Sequence, residues 1–243
     1  MIYVTGDTHG EIDIQKISKK RWGDHDKCKY LIILGDFGLI FNNVQTPTEK
    51  YWLDWLEDKP FTTLFIDGNH ENHPKLAELP TTNYCGATCG VVRDNILHIK
   101  RGEILDIGGT TFFCMGGAES VDKKWRTEHV SWWKEEIPSG REMTNGYTNL
   151  LKYNNKVDYV LTHTVPQRAV IAFNTTPMSI PEFAKDPHDH TCAYLENIYE
   201  TIEFKAWYAG HFHVDWDFHT PKGPIHFMYN TIQRIKPIIG GNK

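Results

Sequence analysis

Five β-rich apolar runs in this chain each end in side chains that can bind a metal or move a proton. That repetition limits the possible fold more than any other feature. Met1-Ile2-Tyr3-Val4-Thr5 runs into Gly6-Asp7-Thr8-His9, and Tyr30-Leu31-Ile32-Ile33-Leu34 runs into Gly35-Asp36. Thr63-Leu64-Phe65-Ile66 leads to Gly68-Asn69-His70-Glu71. Further on, Val157-Asp158-Tyr159-Val160-Leu161 ends in Thr162-His163, and Lys205-Ala206-Trp207-Tyr208-Ala209 ends in Gly210-His211-Phe212-His213. Short runs of this make read as buried strands, and a buried strand hands its last residue to the carboxyl edge of its sheet. Asp7, His9, Asp36, Asn69, His163, His211 and His213 would then meet at one rim.

Any one of these fragments occurs by chance in many proteins. Taken in order, D-x-H, G-D, G-N-H-E, a lone His after a strand and G-H-x-H resemble the calcineurin-like metallophosphoesterase superfamily. The motifs extend from Asp7 to His213, nearly the whole chain. The resemblance implies an α/β fold: a four-layer α-β-β-α sandwich of two mixed β-sheets flanked by helices. It also implies two metal ions, with Asp7, His9, Asp36 and His213 on one and Asp36, Asn69, His163 and His211 on the other.

Two divalent cations about 3.5–4 Å apart can clamp the attacking and leaving oxygens of an in-line displacement. The expected reaction is therefore phosphoester hydrolysis by a metal-bridging hydroxide, with Asp36 as the bridging carboxylate and a catalytic group. His70 is the candidate to protonate the departing oxygen or stabilise the transition state. Mixed imidazole and carboxylate ligands favour Mn²⁺, with Fe or Zn as alternatives, over Mg²⁺.

The motif departs from the family in one place. The protein serine/threonine phosphatases continue G-D with an Asp that orients the catalytic His and an Arg that grips the phosphoryl group. Leu39 and Ile40 stand at those places here. Asn69, Lys123, Arg126 and Arg168 are the candidate substrate contacts. A site with no fixed Arg suits a diester monoanion better than a monoester dianion, so a phosphodiester (cyclic nucleotide, nucleotide conjugate or RNA end) is expected ahead of a phosphomonoester. A noncatalytic scaffold on the same fold is the third reading, and the complete ligand set weighs against it.

The rest of the chain fits one domain over residues 1–243. Hydrophobic residues make up 40% and charged residues 23%, and the net charge of −5 leaves no general basic field for nonspecific DNA or anionic-membrane binding. No run is long enough to span a membrane. The first strand begins at once, so no cleaved leader is expected. Five Cys, an odd number, suggest reduced thiols and a cytoplasmic location.

Helices are expected over residues 11–22, from Thr46 (N-cap, with Pro47 and Glu49) to near Pro60, around Trp132-Trp133, over 145–153 and over 190–202. Residues 86–90 read as a turn, 95–100 as a strand, and 103–107 with 110–115 as a hairpin. Residues 116–126 read as a polar surface loop near the rim, and 214–218 with 225–230 as a closing hairpin. Residues 164–189, broken by prolines yet apolar, read as a rim or lid segment without regular structure.

Overall fold

The apolar runs are strands because each has an apolar surface to cover on both faces. In the computed structural model, which describes residues 1–179, 186 and 188–236, β1 (Ile2–Thr5), β2 (Tyr30–Leu34), β3 (Thr62–Ile66) and β6 (Ile96–Ile99) lie parallel, side by side. The hairpin of β4 (Thr81–Tyr84) and β5 (Ala87–Arg93) extends the sheet beyond β6, and β13 (Ile232–Ile235) pairs antiparallel with β1 on the other side. The second sheet repeats the plan. β8 (Thr110–Met115), β9 (Tyr159–Thr162), β10 (Ala206–Ala209) and β12 (Gly223–Phe227) are parallel, with β7 (Glu103–Ile107) and β11 (Trp216–Thr220) antiparallel at its edges.

Strand side chains alternate between faces, so each strand feeds two cores. Ile2, Val4, Ile32, Leu34, Leu64 and Ile66 meet Phe112, Cys114, Leu161 and Tyr208 between the sheets. The other parity of the first sheet, Tyr3, Leu31, Ile33 and Phe65, is covered by Leu53 and Leu56 of α1 (Pro47–Glu57) and Leu76 of α2 (His73–Glu78). On the second sheet, Phe113, Val160 and Trp207 are covered by α3 (Gly140–Lys152), α4 (Gln167–Asn174) and α5 (His190–Thr201). The result is four layers, helix on sheet on sheet on helix. No helix among the described residues is long and apolar enough to cross a membrane.

Several local expectations are corrected. Residues 11–22 hold one 3₁₀ turn (Ile14–Ile17) instead of a helix, although Ile14, Ile17 and Trp22 are buried as the pattern required. Lys16 Nζ donates to the carbonyls of Gly6 and Asp7 at 3.1 and 2.7 Å, which ties this segment to the end of β1. The 86–90 turn shrinks to Cys85 and Gly86, both with positive φ, in a two-residue hairpin; Ala87 already belongs to β5.

Trp132 sits in an isolated bridge with Glu128, and Trp133 caps a 3₁₀ turn (Lys134–Glu136). α3 begins five residues before the expected 145, at a Ser139–Glu142 capping box. The 164–189 segment contains α4, because Pro166 starts that helix and Val170 and Phe173 pack into the core. Residues 180–185 and 187 of that expected lid lie outside the described residues.

One buried ion pair links three of these pieces. Asp67, just after β3, accepts from Arg101 Nε and Nη2 at 2.8 and 2.5 Å, and His98 Nε2 lies 3.1 Å away. Arg101 also donates to the Glu136 carbonyl and to Glu142 on α3. Burial works to raise the Asp67 pKa, but Arg101 and His98 outweigh it and hold the carboxyl well below its ordinary value. Its contribution to stability is therefore present above the unfolded carboxylate pKa, about 3.9, and is lost as pH falls through the lower folded value. Arg101→Ala leaves this carboxylate buried without its partner and is expected to cost about 3–5 kcal/mol in equilibrium denaturant unfolding.

Candidate metal centre

The parallel strands of both sheets deliver the candidate ligands to a common edge. Asp7, Asp36 and His163 are fully buried, His9 is half-buried, and the His213 side chain is 49% exposed. The backbone is bent to aim them. His9, Asp36, His211 and His213 have φ of 42°, 42°, 70° and 52°, so half of the eight non-glycine residues with positive φ among the described residues are candidate ligands. A left-handed residue of this kind costs on the order of 1 kcal/mol, which the surrounding packing must override.

Glycine makes the close approach possible. A Cβ on Gly68 would stand 2.0 Å from Asp36 Oδ1, and one on Gly210 would stand 2.1 Å from Asp7 Oδ1. With no side chain there, backbone amides reach the carboxylates. His70 N donates to Asp36 Oδ1 at 2.8 Å, and His211 N donates to Asp7 Oδ1 at 3.0 Å.

One ligand atom from each of Asp7, His9, Asp36 and His213 lies within 4.8 Å of the others. His213 Nε2 is 3.2 Å from Asp7 Oδ2, and His9 Nε2 is 3.4 Å from Asp36 Oδ2. Beside this set, His163 Nε2 stands 3.4 Å from Asp36 Oδ1 and 3.0 Å from Asn69 Oδ1, with the His211 ring 4.8 Å from the His163 ring. Asp36 thus faces both groups, one through each oxygen.

The donor pattern fits a cation. His9 Nδ1 is 2.8 Å from Asp13 Oδ2, and His163 Nδ1 is 2.8 Å from the Leu34 carbonyl. Both rings spend their N–H outward, leaving Nε2 lone pairs aimed at carboxylate and amide oxygens. Asp36 Oδ2 is buried and accepts no hydrogen bond. Acceptors converging on acceptors in a dry site are what a metal ion relieves. Without a metal, protons on the imidazoles offset the carboxylates. Burial opposes ionisation of Asp36, yet the imidazoles of His163, His70 and His9 hold its carboxyl well below the ordinary range. Burial likewise works to lower the His9 pKa, and Asp36 and Asp7 push it up to about 9.

A second layer holds the first. Tyr229 Oη donates to Asp13 Oδ2 at 3.2 Å and stacks its ring on His213 with centroids 5.0 Å apart, so the Asp13–Tyr229 pair fixes His9 and His213 together. Asn69 Nδ2 donates to Ser120 Oγ at 3.0 Å, and Ser120 Oγ donates to Glu136 Oε2 at 2.5 Å, which turns the Asn69 oxygen toward His163. Glu71 Oε1 accepts from Phe37 N at 2.6 Å and braces the Gly35-Asp36 turn. The sequence reading missed Asp13, Tyr229, Ser120 and Glu136. Only Asp13, four residues after His9, had a local signal.

The candidate substrate contacts separate. Arg126 Nη2 lies 3.3 Å from His70 Nε2 and 2.6 Å from Asp122 Oδ2, while the buried Arg126 Nε has no hydrogen-bond partner. Burial lowers the His70 pKa; Asp36 pulls it up and Arg126 adds to the lowering. Lys123 is half-exposed and pairs with Glu119. Arg168 pairs with Glu196 and Glu200 on α5, its guanidinium 3.9 Å from the Tyr199 ring centroid, so its contacts tie α4 to α5. Leu39 and Ile40 are buried in the core under α1 and present no polar group.

Asp13→Ala removes the acceptor that sets the His9 ring. It is expected to weaken Mn²⁺ binding by about 10–100-fold in calorimetric titration, with the folded far-UV signal retained.

A model of the calcineurin-like phosphoesterase family matches residues 1–215. The lariat debranching enzyme of Entamoeba histolytica is 28% identical over 184 residues, 71% of this chain. The chain spans 48% of that enzyme's length. Two solved structures share the fold at 14% identity. A candidate 5′-nucleotidase from Staphylococcus aureus superposes with a TM-score of 0.51, over 94% of this chain and 48% of that one. The phosphopantetheinyl hydrolase PptH of Mycobacterium tuberculosis gives 0.50, over 94% and 89%. Both sheets, the converging ligands and the matched length lead to one assignment: this chain belongs to the calcineurin-like phosphoesterase family, whose members are metal-dependent phosphoesterases.

Proposed function

We propose that this chain is a phosphodiesterase with a two-metal centre, acting on a nucleotide or RNA-related diester. Asp7, His9, Asp36 and His213 would hold one ion, and Asp36, Asn69, His163 and His211 would hold the other. The observation that carries this reading is Asp36, fully buried, with one oxygen 3.4 Å from His9 Nε2 and the other 3.4 Å from His163 Nε2. The similarity to a debranching enzyme supports an RNA-related substrate. Mn²⁺ suits the mixed nitrogen and oxygen ligands, with Fe or Zn as alternatives. Five free thiols agree with a reducing, cytoplasmic setting.

When bound, the ions supply Lewis-acid charge neutralisation and lower the pKa of water. The chain's own residues do the rest. Asp36 orients both halves of the centre through its two oxygens. Arg126, with a free buried Nε, is placed to donate to a nonbridging phosphoryl oxygen, a charge-assisted bond in a water-poor site. A phosphoryl oxygen arriving there would take the Arg126 donors from His70 Nε2, and that nitrogen, once it has taken a proton from water, could pass it to the departing oxygen. Arg126 thus stands in for the cation that Leu39 and Ile40 do not provide. Asp122 holds its guanidinium in position.

His70→Ala is expected to retain metal and lower kcat by about 10²–10⁴, with a larger loss on an alkyl than on a p-nitrophenyl ester. Loss of metal content in the variant would make His70 structural instead. Arg126→Ala should reduce kcat/KM by about 1.5–3 kcal/mol of transition-state binding. The overall reading rests on kcat/KM for bis(p-nitrophenyl) phosphate against p-nitrophenyl phosphate, measured with Mn²⁺. A ratio above one is expected, and one well below it would make the chain a phosphomonoesterase.

A further inference from the structure

His9 and His70 form the inner end of a groove of ≈ 450 Å³ that runs outward between residues 10–12 and residues 38–49. That volume falls within the range of about 300–1,000 Å³ usual for small-ligand sites. Leu39, Phe41 and Ile12 give it apolar surface, and Asn42, Thr46 and Thr48 add amide and hydroxyl groups. Ile12 is 74% exposed, a large apolar side chain left facing solvent at the groove's rim. The Phe41 ring is braced edge-on against Trp133, with centroids 5.3 Å apart at 90°.

The charge lining this groove is acidic. Glu11 is exposed at the wall. The buried Glu49 carboxylate accepts from the amides of Phe41, Asn42 and Thr46; burial opposes its ionisation, but these bonds outweigh that and keep its pKa lowered. No Lys or Arg lines the groove among the described residues. Lys75, the cation nearest in its contacts, is tied to the Asn42 carbonyl at 2.6 Å and lines the neighbouring cavity. Arg126 touches His70 but does not line the groove either. Anion-binding and anion-repelling surfaces therefore meet at His70.

We propose that this groove is the leaving-group subsite and takes a neutral, ring-bearing alcohol, namely a nucleoside with no phosphate of its own. This rests on the phosphodiesterase reading in one respect, the placing of His70 at the departing oxygen. A flat base has apolar faces for Phe41 and Ile12 and a polar edge for Asn42 and the threonines. A second phosphate entering the groove would meet the carboxylates of Glu11 and Glu49 with no lining Lys or Arg to offset them.

The test compares the dinucleotide UpU, whose leaving group is uridine whichever bond breaks, with pUpUp, whose leaving group is phosphorylated either way. The Mn²⁺-loaded protein should show kcat/KM higher for UpU by about tenfold or more. Thr48→Lys, at an exposed first-turn position of α1, should narrow that gap by placing a cation in the groove. Equal rates, faster pUpUp cleavage, or a gap unmoved by Thr48→Lys overturns the proposal. Calorimetric titration of uridine into the same protein reads the groove without turnover, and Phe41→Ala should raise its Kd by about tenfold. If bis(p-nitrophenyl) phosphate is not hydrolysed, the phosphodiesterase reading fails on its own. Uridine binding then decides the groove: a Kd insensitive to both Phe41→Ala and Thr48→Lys overturns it.

Discussion

Two ionised carboxylates stand in the interior of this protein, and much of its architecture is arranged around keeping them charged. Asp7 and Asp36 are fully buried at the ends of adjacent strands, where each raises the other's cost of ionisation. A buried charge with no partner neutralises itself by shifting its pKa. Burial opposes their ionisation, but the imidazoles of His213, His163 and His9 around Asp7, and of His163, His70 and His9 around Asp36, hold both carboxyls below their ordinary range. The backbone amides of His211 and His70 donate to their oxygens. Those amides reach the oxygens only because Gly68 and Gly210 have no Cβ. The strained φ at His9, Asp36, His211 and His213 belongs to the same requirement, since regular strand geometry would send those side chains elsewhere.

The carboxylates also explain why the outer residues are where they are. Asp13 and Tyr229, from the two ends of the chain, converge on His9 and His213. Ser120 and Glu136, from the loop after β8, set the Asn69 amide. The Asp67–Arg101 pair fastens that loop to β3, through the Asp67 carbonyl accepting from Gly117 N and Arg101 donating to the Glu136 carbonyl. Structural ion pair and candidate centre are thus coupled through one loop, the loop that also brings Arg126 to His70.

Charge is divided sharply across His70. On one side Arg126 offers a buried donor, and on the other Glu11 and Glu49 face a groove with apolar surface. Ile40 packs under α1 with no charge to offer, and the guanidinium beside His70 is that of Arg126, from a loop 86 residues later in the chain.

The seven candidate ligands, the strands that carry them and the layered α/β class were legible in the sequence. A buried strand ending in Gly and a ligand has few other uses, and five in a fixed order have fewer still. The Thr46 cap and the hairpin at Gly108-Gly109 were legible too, because turn and cap chemistry act within a few residues. The helical pattern at 11–22 misled because Lys16 is claimed by carbonyls of Gly6 and Asp7, and the proline-broken stretch after His163 hid α4 because Pro166 begins a helix there. Sequence pattern by itself determined which side chains could meet at one edge. Tertiary structure decided which way each ring is turned, that Arg126 alone of the three proposed cations touches His70, and that Glu11 and Glu49 line the groove beside it. Those outcomes depend on contacts between residues as far apart as Asp13 and Tyr229, and no local periodicity encodes such contacts.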